Sequence, residues 1–514
     1  MNFKRIAWSV AAALALPSFV YAAEDESSLI SVYGHIALGL ENIEATDKTK
    51  FDGSQMLKVS PTANAVNFGL YNTLDSIPAK TRVTDGISYI GFRGNQSLPA
   101  GFTALYQIET AVKPDDGCGY VGCKDSEISK PAAGPSARFG NRQTFIGLRQ
   151  SSLGTLQYGR LDMYFYKHVP NELHLLKSGA TSTALSVLGY QFNSASSFGG
   201  YFPKISTAAG ALYAFNEFAM PFYNVGTRTN NVVQYKTPSF KGLQMVAAYQ
   251  VPETKGEWYK ASSTYNTTTG RDDNNPVCQT GSSLCLPDSL NKLTAGVLGQ
   301  AGRNNIRNDA KELTVAYYPG WMFASLAYLE EKDPVPLVTG GAISKAYGIK
   351  GSLGLQVSQS IPLRVGLVYE RQVNQYHADF VKNVQGLAAT VPGQTVASLG
   401  DSSRDTYVVA LGYKFSDAIE LFGTYGKALD TETWTGEKDK DSGAVYTQLT
   451  MLYNFSKKTN LFATYAKVDN ESVAAYNFFI NGAATPSGQA QAPFLQTPRG
   501  SDPTSYQVGI SHIF

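Results

Sequence analysis

Residues 505–514 alternate strictly in side-chain character. Tyr506, Val508, Ile510, His512 and Phe514 share one face, and Gln507, Gly509, Ser511 and Ile513 share the other. A strand has a side-chain period of two, so this segment is predicted to extend as a β-strand with one aromatic and apolar face. Aromatic residues at both ends and an aromatic last residue fit a strand that crosses a bilayer between two interfacial girdles. His512 stands on the outward face near the end. It reads either as an interfacial ring or as a metal ligand.

A strand of that kind is useful only in a closed sheet. Inside a bilayer every backbone group must find its own hydrogen bond, so only helices and closed barrels span it. No segment after residue 22 has 18 consecutive apolar residues, so a transmembrane helix is not expected. The chain nonetheless carries an export signal. Lys4 and Arg5 precede an apolar run over residues 6–16, Pro17 breaks it, and Val20-Tyr21-Ala22 supplies small residues at −3 and −1. This predicts a cleaved signal peptide over 1–22 and a single mature domain over 23–514. The run is shorter than the roughly 20 residues of a membrane anchor. Cleavage removes two basic residues and leaves 41 Lys and Arg against 41 Asp and Glu. No basic block stands out, so no nucleic-acid partner is expected.

The same alternation recurs upstream. Tyr407, Val409, Leu411, Tyr413 and Phe415 line one face of a strand, and Gln448 and Thr450 interrupt Val445, Leu449, Met451 and Tyr453 in another. Very short connections, at 416–418, 456–458 and 319–320, alternate with long Gly-rich polar ones. Short turns on one rim and long loops on the other are the layout of outer-membrane barrels. The pattern predicts an all-β, sixteen-stranded antiparallel transmembrane β-barrel. Its strands fall near 29–41, 86–95, 102–112, 142–150, 154–160, 230–237, 243–251, 312–318, 321–330, 346–358, 363–374, 405–415, 419–428, 444–455, 459–468 and 505–514. An even number lets the barrel close, and this number leaves room for a water-filled lumen.

Several segments, in order, resemble the Gram-negative general porin family, and its β-proteobacterial (neisserial-type) branch in particular. Ile30-Ser31-Val32-Tyr33-Gly34 is similar to the opening strand. Ser88-Tyr89-Ile90-Gly91-Phe92-Arg93-Gly94 and Asn141-Arg142-Gln143-Thr144-Phe145-Ile146-Gly147-Leu148 resemble the next motifs. Tyr235-Lys236-Thr237-Pro238-Ser239-Phe240-Lys241-Gly242-Leu243, Tyr453-Asn454-Phe455-Ser456-Lys457-Lys458-Thr459 and the segment ending at Phe514 complete the series. The resemblance covers nearly the whole mature chain. It implies an outer-membrane homotrimer in contact with lipid that passes ions and small hydrophilic solutes, with no cofactor. Phe514 would serve as the C-terminal assembly signal.

The resemblance also implies a third extracellular loop, here 161–227, folded into the barrel to narrow the pore. Acidic loop residues then face a basic wall, and such opposed charges select ions. Arg228 and Arg93 match family positions on that wall. Arg142, Arg149, Arg160 and Lys236 are further candidates, and Asp162, Glu172 and Glu217 are the candidate opposing acids. Counting by two from Arg93 also points Tyr89 and Gly91 inward. The family often carries Arg where this chain has Tyr89, which leaves the sign of selectivity open.

Cys118 and Cys123 are five apart, Cys278 and Cys285 seven apart, and both pairs fall in predicted external loops. Two local disulfides suit an oxidising compartment. A metal site is the other reading, but no His lies near either pair. Enzyme motifs are missing: there is no Walker A, no H-E-x-x-H and no G-x-S-x-G. His168, Glu172 and His174 lie together in the third loop, as polar lining or a weak metal or substrate cluster. A substrate-selective channel, a plugged adhesive barrel and a soluble secreted β-protein are the alternatives to an open diffusion pore.

Overall fold

The computed structural model describes residues 30–46, 77–84, 88–112, 140–164, 184, 187–188, 228–252, 265–266, 271–272, 309–332, 343–357, 361–376, 400–432, 438, 440–472, 474, 476 and 500–514. These form sixteen barrel strands. In chain order they are β1 (Ser31–Thr46), β2, β3 (Phe102–Ala111), β4 (Thr144–Gln150), β5 (Gly154–Asp162), β6 (Arg228–Lys236), β7 (Leu243–Gln250) and β8 (Asp309–Tyr317). Then come β9 (Met322–Lys332), β10 (Ile343–Gln356), β11 (Leu363–Tyr376), β12 (Ser402–Lys414), β13 (Ile419–Ala428), β14 (Ala444–Asn454), β15 (Thr459–Asn470) and β16 (Asp502–Ile513). Strand β2 is interrupted. Its segments, Ile77–Thr84 and Tyr89–Ser97, pair with the outer and inner halves of β1. A two-stranded ribbon, Tyr265–Asn266 with Arg271–Asp272, stands apart.

Every strand is antiparallel to its chain neighbours, and β16 pairs with β1 from His35↔Ile513 to Thr46↔Asp502. The sheet therefore closes with no free edge. All sixteen sequence-predicted strands are present. The added segment Ile77–Thr84 is not among them. Only Ile77, Ala79 and Val83 are apolar in it besides Pro78, too few to announce a lipid-facing stripe.

Alternation sets the two faces. Tyr407, Val409, Leu411, Leu449, Met451, Val508 and Ile510 are exposed on the outer wall, while Thr406, Val408, Ala410, Gln448, Thr450 and Gln507 are buried on the inner one. Aromatic pairs bound the outer apolar band. Tyr369–Tyr407 and Tyr465–Tyr506 lie toward the long-loop rim, with centroids 5.1 and 5.2 Å apart. Tyr413–Phe415 and Tyr453–Phe455 lie at the short-turn rim, at 4.7 and 5.1 Å. These are the two girdles of a membrane barrel. His512 belongs to the lower one: its Nδ1 is 2.9 Å from the Thr459 hydroxyl and its ring stacks on Phe514.

The short turns are built by serine. Ser416 Oγ accepts hydrogen bonds from the Ala418 and Ile419 amides, and Ser456 Oγ does the same for Lys458 and Thr459. A hydroxyl that takes up free turn amides lets strands reverse within four residues.

The lumen is partly filled. Leu161, Met163 and Tyr164, at the end of β5 and just beyond it, pack with Val232, Ala310, Leu329 and Ala346 of the inner wall. Lys350 on β10 donates to the Tyr164 carbonyl and lies over its ring, 4.5 Å from the centroid. Ala184, Val187 and Leu188 pack against Val368, Val408, Ala410 and Tyr446, and Thr406 Oγ1 donates to the Leu188 carbonyl at 3.4 Å. The described residues of the connection between β5 and β6 thus lie inside the barrel.

Candidate functional site on the inner barrel wall

The inner faces of β1 to β4 carry a cluster of aromatic and charged groups. Register places Tyr33, Gly91 and Glu109 in one row on three adjacent strands. A side chain at Gly91 would separate the outer two. A Cβ there would stand 2.3 Å from the Tyr33 ring, so glycine lets that ring lie across β2. Tyr33 thereby donates to Glu109 Oε2 at 3.2 Å, bridging two strand spacings.

Glu109 holds two more contacts. Arg142 Nε donates to Oε1 at 2.5 Å, and the Arg142 amide donates to the Glu109 carbonyl at 3.0 Å. The Arg142 guanidinium lies 4.5 Å from the Tyr89 centroid, and the Arg93 guanidinium lies 4.9 Å from that of Tyr33. Arginine binds aromatic faces and carboxylates through different edges of one plane, so both contacts are compatible. The cluster has two cations and one anion. The Arg142–Glu109 pair is 13% and 9% exposed, so it acts on a passing ion through its field more than by contact.

The other candidate residues do not all join this cluster. Arg149 and Lys236 face inward but lie in a row through Thr155 at the short-turn end, away from Arg142. Arg160 shares the outer face of Leu156 and Tyr158, both exposed. Its guanidinium donates to the Asn141 carbonyl at 2.9 Å and to Asn230 Oδ1 at 2.7 Å. Strand alternation removes it from the basic wall. Asp162 is the last residue of β5 and not a loop acid. It is 5% exposed, and Gln143 donates to it. The backbone of Arg228 is opposite Asp162. Glu172 and Glu217, His168 and His174, and Cys118, Cys123, Cys278 and Cys285 lie outside the described residues.

Phe514 closes the barrel. Its amide and carbonyl exchange hydrogen bonds with Gly34 at 3.1 and 3.2 Å, and its ring fills the space that a Gly34 side chain would need.

Sequence reasoning missed Tyr33, Glu109, Lys350, Glu370 and Arg404. Glu109 was within reach. Leu105, Gln107 and Glu109 share a face by alternation, and the lone acid of a membrane strand is expected to face the lumen. Lys350 and Glu370 are directly opposite on β10 and β11, at 0% and 1% exposure. Arg404 donates to the Tyr476 hydroxyl at 3.3 Å.

Comparison with known proteins agrees with this architecture. The profile of the Gram-negative porin family matches residues 7–472. An outer membrane porin protein of Bordetella pertussis is 23% identical over 465 residues, covering 89% of this chain and 93% of that protein. The major outer membrane protein P.IA of Neisseria meningitidis serogroup C is 30% identical over 139 residues, 26% of this chain and 28% of that one. In structure, an anion-selective porin from Comamonas acidovorans aligns over 94% of this chain and 99% of its own, with a TM-score of 0.52 and 14% identity. A closed barrel with a polar, charged inner wall and an apolar outer one, matched by a family profile along most of its length, belongs to the Gram-negative porin family: an outer-membrane barrel that forms a channel for small solutes.

Proposed function

We propose that the barrel is a general diffusion pore that passes ions and small hydrophilic solutes and performs no chemistry. The observation that carries this reading is the cluster on the inner wall of β1–β4 in which Arg93, Arg142 and Glu109 together carry one net positive charge. A weak field attracts an ion without holding it, as permeation requires. The Comamonas acidovorans porin is described as anion-selective. Two guanidinium groups against one carboxylate in this cluster support a mild preference of the same sign here.

The test is single-channel recording of detergent-purified protein in a planar bilayer under a salt gradient. Ohmic steps with a small anion-selective reversal potential support the proposal. A folded, heat-modifiable barrel without conductance refutes it. A second reading, a solute-selective channel, is favoured by the third-loop residues that cover the walls of β8–β15. Saturable current block by one solute distinguishes it.

We further propose a homotrimer. The outer faces of β1, the outer segment of β2 and β14–β16 form an apolar groove of about 700 Å³ lined by residues such as Leu40, Val83, Met451, Ala463 and Val508. These first and last strands are where the family resemblance puts subunit contact, and conductance steps in triplets are the expected result. We also propose cleavage after Ala22 and disulfides joining Cys118 to Cys123 and Cys278 to Cys285. Sequencing that starts at Ala23, and cysteines that alkylate only after reduction, are the expected results.

A further inference from the structure

Glu109 has no counterpart among the charges that the basic-wall reading nominates, yet it is at the centre of the cluster. It is an acid on the wall itself, bonded to the arginine that should give the wall its sign. It lies about 24 Å of strand from the short-turn end of β3, at 3.4 Å per residue, well within the bore. Three neighbours fix it: Arg142 Nε at 2.5 Å, the Tyr33 hydroxyl at 3.2 Å and the Thr144 hydroxyl, which accepts from the Glu109 amide at 3.5 Å. Arg142 is held in turn over Tyr89.

We propose that Glu109 is a selectivity-determining residue of the pore: a fixed wall carboxylate that cancels Arg142 and keeps the channel close to non-selective. The inference rests on the diffusion-pore reading. Its physical basis is charge counting at short range. With its one carboxylate, the cluster of Arg93, Arg142 and Glu109 carries a net charge of one. Without it the charge doubles, in a wall of low dielectric that concentrates field lines into the water-filled bore. A unit charge added within about 6 Å of an ion's path, even at a water-like dielectric, changes the local ratio of anions to cations by roughly three- to tenfold. Tyr33 is a positioning residue here. Its hydroxyl aims the carboxylate along the wall and towards Arg142.

The experiment is reversal-potential measurement on wild type, Glu109→Gln, Arg142→Gln and the double variant, each first shown to be folded by heat-modifiable gel migration. Glu109→Gln is expected to raise anion-over-cation permeability about three- to tenfold. Arg142→Gln should move it the opposite way, because the net charge of the cluster then falls from one to zero. The double variant should return close to wild type. Conducting Glu109→Gln channels with an unchanged reversal potential overturn the proposal. If Glu109→Gln does not fold, Arg142→Gln decides alone: a shift towards cations supports the inference, and no shift overturns it. Wild-type barrels that do not conduct overturn the diffusion-pore reading instead, a result distinct from conducting channels of unaltered selectivity.

Discussion

Lys350 and Glu370 offer a quantitative test of how the lumen is organised. They face each other across β10 and β11 with 0% and 1% of their surface exposed. Lys350 also binds the Tyr164 carbonyl and ring at the root of the third loop. Two opposed charges taken out of water together roughly break even, but removing one strands the other in the interior at about 3–5 kcal/mol. Lys350→Met should therefore destabilise the barrel by about that amount. It also removes a charge-assisted hydrogen bond, about 1.5–3 kcal/mol, from the loop root. Lys350→Met combined with Glu370→Gln removes the stranded charge and should recover most of the barrel's stability. The loop contact stays lost, so open-channel current noise should remain raised in both variants. Urea unfolding in detergent, followed by tryptophan fluorescence, measures the first effect, and bilayer recording measures the second. The reasoning is refuted if Lys350→Met unfolds like wild type, or if the double variant is no more stable than Lys350→Met alone.

Other consequences are open to simpler checks. Gly34→Val should lower the temperature at which the folded band is lost in SDS gels. Its Cβ would meet the Phe514 ring at 2.5 Å and the immovable Tyr89 carbonyl at 2.7 Å, an overpacking cost of about 1–3 kcal/mol. Val508→Arg puts a cation in the apolar groove of the outer wall, where a midplane charge costs about 2–4 kcal/mol. It should dissociate trimers on semi-native gels. Beyond the membrane span, burial and then the neighbouring Asp430 raise the Glu471 carboxyl above the usual carboxylate range, and both carboxylates accept from the Gly443 amide. The folded state binds that proton more tightly than the unfolded chain, so stability is gained as pH falls through the raised value and lost as it rises. Hydrogen exchange at Ser442 and Gly443, corrected for intrinsic rate, should slow on the acid side, and Glu471→Gln should remove that dependence.

The barrel was legible in the sequence because one physical rule governs all sixteen strands. Lipid outside and water inside force a period of two, and runs such as Tyr407 to Phe415 carry it without interruption. The segment Ile77–Thr84 escaped because it pairs with β1 while showing little of that stripe. The site was less legible. Arg149, Arg160 and Lys236 are all basic and close in sequence to Arg142, but wall position depends on parity and height, which a register shift of one residue resets. Asp162, expected in the loop, is instead the buried last residue of β5. Glu109 follows from parity alone. Its pairing with Arg142 does not, because that contact joins β3 to the residues just ahead of β4, across a long intervening connection.

The charges inside the barrel therefore divide by what covers them. Lys350 and Glu370 are opposite each other on adjacent strands, and Lys350 holds the Tyr164 carbonyl and ring at the root of the third loop. On β11, β12 and β14, Val368, Val408 and Tyr446 are packed against Ala184, Val187 and Leu188. Among the described residues on the β1–β4 side, one cluster has two arginines spread on tyrosine rings and a single carboxylate that halves their effect. A balance of two against one is fragile in a way that a long basic ladder is not. One substitution at Glu109 or Arg142 doubles or cancels the net charge, so large changes in ion preference should follow from changes that leave the barrel intact.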